Sequence, residues 1–100
     1  MEAAASTDTH ALLVQAIQDK RQLRFVHHGK PRVVEPQCHG IGTRGTKLLR
    51  ARQLGDGVPH KPLFDVDKIS ELRMLGDVFL HPGPHYKRDG SAMRLIFSQL

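Results

Sequence analysis

The residues best suited to chemistry in this chain are cationic. The stretch Lys47-Leu48-Leu49-Arg50-Ala51-Arg52-Gln53 places two guanidinium groups two positions apart. In a helix they would stand about 200° apart; in a strand they share one face, with Leu49 and Ala51 on the other. A strand face with alternating guanidinium groups suits recognition of anionic oxygens, because each fork can donate two parallel hydrogen bonds. Lys61, Lys68 and Arg32 lie on flanking segments and extend the candidate patch. The competing role is plainer: solvated charges covering an antiparallel sheet, some paired across strands with Glu35, Asp65 or Asp67.

Other reactive side chains form weaker patterns. Cys38-His39 and His27-His28 are adjacent pairs, and neighbours on a strand point to opposite faces. No Cys-x-x-Cys spacing announces structural zinc. His81 and His85 are four apart, but Pro82 and Pro84 rule out a regular helix between them. Cys38, His39 and Glu35 can be drawn as a nucleophile set, although a small buried thiol accounts for Cys38 more simply. Gly40, Gly42 and Gly45 lack the Gly-Lys-Ser/Thr ending of a phosphate loop. The expectation is a protein without catalytic residues, metal or cofactor.

Composition narrows the frame. One hundred residues make a single domain, and 39% apolar content supplies a small core. Trp is absent and aromatic residues total 5%, so Leu, Val and Ile must do most of the packing. The net charge of +5 favours anionic partners. No run approaches the roughly 18 apolar residues of a membrane span, so no membrane is expected. The start, Met1-Glu2-Ala3-Ala4-Ala5, lacks the features of a secretory signal. One cysteine cannot form an internal disulfide, which fits a reducing, cytoplasmic compartment.

Local patterning assigns the elements. Residues 1–8 read as a disordered N-terminus. Asp8 or Thr9 can cap a helix to about Arg21, with Leu12, Leu13, Ala16 and Ile17 as its apolar stripe. The period then changes to two. Leu23, Phe25 and His27 alternate with Arg24, Val26 and His28, and His28-Gly29-Lys30-Pro31 is a turn. Arg32 to Glu35 predicts a second strand limited by Pro36, followed by a turn around Thr43-Arg44. Lys47–Gln53 lies between glycine-rich turns in a window of strand length and has no helix cap before it, which favours the strand. Leu63 to Val66 predicts another strand. Ile69 to Leu75 is ambiguous, since Leu72 and Met74 alternate while Ile69, Leu72 and Leu75 are spaced by three. The segment 81–100 reads as a Pro/Gly-rich loop or tail, with Met93–Phe97 returning as a final strand or packing on the core.

In order and spacing, these segments resemble the WYL domain family. Arg32-Val33-Val34-Glu35-Pro36 is the closest local match. Leu49-Arg50-Ala51 lies in the signature segment, and Phe64-Asp65-Val66-Asp67-Lys68-Ile69 and Pro82-Gly83-Pro84-His85-Tyr86 resemble later ones. Lys47 and Leu48 stand where the family's Trp and Tyr would be; Asp65 occupies a position often basic in the family, and Pro62 falls near another. The resemblance implies a mainly β fold: a small Sm-like, Src-homology-3-like β-barrel over residues 9–80, preceded by one N-terminal helix. It also implies a non-enzymatic sensor in bacterial transcriptional or defence regulation, binding an anionic small molecule or single-stranded nucleic acid through a basic groove. The one helix leaves no room for a helix-turn-helix. Single-strand binders stack bases on aromatic side chains, and the scarcity of these here favours a small anion or a protein partner. The alternative function is an interaction or oligomerisation module, pairing with a partner or a second copy through barrel edges.

Overall fold

A computed structural model of the chain describes residues 2–55, 63–80 and 93–100, with side chains from residue 9 onward. The expected loop over 81–92, and Lys61, lie outside the described residues.

Helix α1 spans Glu2–Asp19. It starts earlier than expected: residues 2–8 are helical rather than disordered, and Asp8 and Thr9 lie inside the helix instead of capping it. The strong helix propensity of Ala3, Ala4 and Ala5 favours the extension. Leu13, Ala16 and Ile17 are fully buried at the i, i+3, i+4 spacing of one helical face. Lys20 ends the helix in the left-handed region (φ 53°), and its carbonyl accepts from the Phe79 amide at 2.9 Å.

The remaining elements are strands. β1 (Arg21–His27) and β2 (Lys30–Gly42) form a hairpin whose two loop residues, His28 and Gly29, both have positive φ (52° and 73°). This is the mirror-image turn that matches strand twist. Within β1, Leu23, Phe25 and His27 point inward. β3 is Lys47–Gln53, β4 is Leu63–Asp65, and a 3-10 turn, Val66–Lys68, leads into β5 (Ile69–Val78). β6 is Met93–Gln99. The ambiguous Ile69–Leu75 stretch is therefore strand, and Met93–Phe97 belongs to a final strand.

The antiparallel sheet runs β4-β3-β2-β1-β5, with β6 also on β2. Pro36 does not end the second strand, contrary to expectation. β2 continues for 13 residues and changes partner along its length. Lys30 to Val34 pair with β1, while Cys38 to Gly42 pair with β6. Pro36 falls between the two ladders, at a register shift against β3, where the missing amide donor is tolerated. The expected closed barrel is not formed. Among the described residues no ladder joins β4 to β5, so the sheet curls without closing.

α1 packs against β1, β2, β5 and β6. The core joins its three buried residues to Leu23, Phe25, Val34, Leu49, Ala51, Phe64 and Val66. Phe25 and Phe64 meet edge to face, with centroids 4.9 Å apart. Among the described residues no helix is long and apolar enough to cross a membrane.

Candidate functional site

β3 positions the site. Leu49 and Ala51 are completely buried, so the strand's period of two turns Leu48, Arg50 and Arg52 to the opposite face. The two arginines do share a face, as the strand assignment requires. Their surroundings differ. Glu35 lies directly across from Arg52, and the Arg52 Nη1 donates to Glu35 Oε1 at 3.2 Å. The Arg52 side chain remains 41% exposed, so solvent screens this pair. Arg50 lies opposite Cys38 on one side and Leu63 on the other. It has no carboxylate within salt-bridge distance among the described residues.

Beside Arg50 is a cleft of about 320 Å³, lined among the described residues by Gly42, Thr43, Arg44, Thr46, Leu48 and Leu63. The β2–β3 turn builds one end. Gly45 N–H donates to the Gly42 carbonyl at 3.0 Å and Gly42 N–H to the Thr46 carbonyl at 2.8 Å. The positive φ of Gly45 (83°) completes that turn. Leu63 is 41% exposed and directly faces Arg50 across the β3–β4 ladder. The cleft thus has an apolar floor with Arg44 in its lining and Arg50 beside it. Asp65, opposite Leu48, is an acidic group on this face in addition to Glu35, and it accepts from the Asp67 amide at 3.1 Å.

Two of the other predicted cations, Arg32 and Lys68, do not join this patch, and Lys61 lies outside the described residues. Arg32 is two residues from buried Val34 and directly opposite buried Phe25, which puts it on the inner face. Its Nη1 donates to Gln53 Oε1 at 3.2 Å and its Nη2 to the His27 carbonyl at 3.3 Å, with its guanidinium 6.0 Å from the Phe64 ring centre. Arg32 therefore braces the lower core instead of presenting a free fork. Lys68 is exposed at the end of the 3-10 turn. Burial lowers the pKa of His27, with smaller lowering contributions from the neighbouring His28, Arg32 and Lys68, partly offset by Asp65.

Two features escaped the sequence. One is the cleft beside Arg50, including Arg44; the Gly42–Gly45 turn signal marked its position, but only the β3–β4 pairing brings Leu63 to it. The other is a histidine pair. His10 of α1 and His39 of β2 meet Nδ1 to Nε2 at 3.0 Å, and His39 Nδ1 bonds the Leu48 carbonyl at 3.0 Å. With Nδ1–H donating to that carbonyl, His39 Nε2 accepts from His10. Phe97 of β6 packs on both rings, at 4.9 and 5.2 Å. Burial lowers the His39 pKa, partly offset by the Leu48 hydrogen bond. Among the described residues, no three His, Cys, Asp or Glu side chains gather as a metal cage would require. No family model, curated protein or solved structure matches the chain.

Proposed function

We propose that this chain is a non-enzymatic, WYL-like binding module that recognises an anionic ligand on the outer face of β3 and serves in regulation. The observation that carries the reading is Arg50: a half-buried arginine with no acidic partner among the described residues, beside an open cleft. A guanidinium fork can give an incoming anion two parallel hydrogen bonds, which a lysine ammonium cannot. The +5 net charge supplies long-range attraction. The family reading rests on the order and spacing of the sequence segments.

The test is binding of pyrophosphate and of a labelled single-stranded oligonucleotide at several salt concentrations. Affinity should fall with ionic strength. Arg50→Ala should weaken binding about tenfold or more, as expected for losing a charge-assisted contact of about 1.5–3 kcal/mol. A folded Arg50→Ala variant that binds both probes like the parent would sink the site.

A second reading has its own support. β6 exposes Leu95 (48%) and Phe97 (39%). Among the described residues, β6 pairs only with β2, leaving its other edge without a partner strand. An interaction module would use that edge. Sedimentation across a concentration series distinguishes the two: a stable dimer without anion affinity favours the interaction module.

A further inference from the structure

The cleft's shape and lining constrain the ligand further. A charge-only anion site would need cations and water around it. This one places Leu48 and Leu63 beside Arg50 and includes Arg44 and two threonines in its lining. Leu63 stays 41% exposed in that position. At about 320 Å³ the cleft is at the small end of ligand pockets, which span about 300–1,000 Å³. That volume holds one ring system. A run of bases would need a longer groove and aromatic platforms, and the described lining contains no aromatic side chain.

We infer that the ligand is a small amphipathic anion: one apolar ring system seated on Leu48 and Leu63, with a phosphate or carboxylate against Arg50 and Arg44. This rests on the anion-binding reading above and specifies its ligand class. The apolar part supplies affinity by leaving water, and the guanidinium groups set its orientation. Leu48 is central because its side chain lines the cleft while its carbonyl is held by His39, which keeps this stretch of β3 fixed.

A matched series tests the inference with the full chain: 1-naphthyl phosphate, 1-naphthoate, 1-naphthol and inorganic phosphate, titrated by calorimetry and by amide chemical shifts. The expected result is that 1-naphthyl phosphate or 1-naphthoate binds at least about tenfold tighter than both inorganic phosphate and 1-naphthol. The tighter of the two ring anions identifies the headgroup. Leu63→Ser, at an exposed position, should remove most of that advantage by weakening the ring anions towards the affinity of inorganic phosphate. Equal affinity for 1-naphthyl phosphate, 1-naphthoate and inorganic phosphate would overturn the inference and leave the anion-binding reading standing. Equal affinity for 1-naphthol and the ring anions would overturn both, as would binding by no member of the series.

Discussion

Gly40 is the tightest point in the fold, and replacing it tests how β6 is held. Gly40 pairs with Leu48 of β3 on one side and Ile96 of β6 on the other. A Cβ added there would overlap the Leu95 carbonyl oxygen and stand 3.1 Å from both Ile96 Cα and the Leu95 carbonyl carbon. These are backbone atoms, so no side-chain rotation relieves the overlap; β6 itself must move. The move strains a ladder of five residue pairs, from Cys38–Gln99 to Gly42–Met93. It also loosens Phe97 from the His10–His39 pair. Overpacking of this kind costs about 1–3 kcal/mol. In a domain of this size each kcal/mol lowers the melting temperature by roughly 4–8 °C. Gly40→Ala should therefore melt about 4–24 °C below the parent in a circular-dichroism scan, with faster hydrogen exchange in β6. A melting temperature within about 2 °C of the parent, with β6 protection unchanged, would refute the close approach.

Other consequences follow from the same packing. Stability to urea should fall as pH drops below 6.5, the ordinary histidine value. The native pKa of His39 is depressed, so the folded state binds fewer protons than the unfolded chain, and the stabilisation present above 6.5 is lost as pH falls towards the native value. His39 can contribute a slope of at most about 1.4 kcal/mol per pH unit, and His39→Gln should flatten the profile by that share. Arg32→Met should cost about 1–3 kcal/mol in urea unfolding, because Gln53 Oε1 and the His27 carbonyl lose their donors. The same variant should bind anions like the parent, and a large loss of affinity would return Arg32 to the site. Arg52→Ala should weaken anion binding less than Arg50→Ala, since Arg52 already has Glu35; the reverse order in calorimetry would contradict the assignment.

Much of the strand content was legible because short-range rules decide it. Lys47–Gln53 is a strand because turns bracket it at strand length and its apolar residues alternate. The His28-Gly29 turn declares itself by residue type. Pro36 misled because a proline's cost depends on which neighbours need its amide, and β2 changes partner there. Arg32 lies on a strand flanking that of Arg50, which suggests one patch, but its parity with Val34 puts it on the inner face. The open sheet, the cleft and the His10–His39 contact depend on how distant segments meet, which no local pattern carries.

The central claim is that anions are recognised at Arg50 beside the cleft. The most direct measurement is an amide chemical-shift map during pyrophosphate titration. The account predicts saturable shifts concentrated on Arg44, Thr46, Leu48, Arg50 and Leu63, with little change at Arg32 and Lys68. Shifts centred on Arg32, His27 and Lys68, or spread without saturation over the cationic surface, would contradict it.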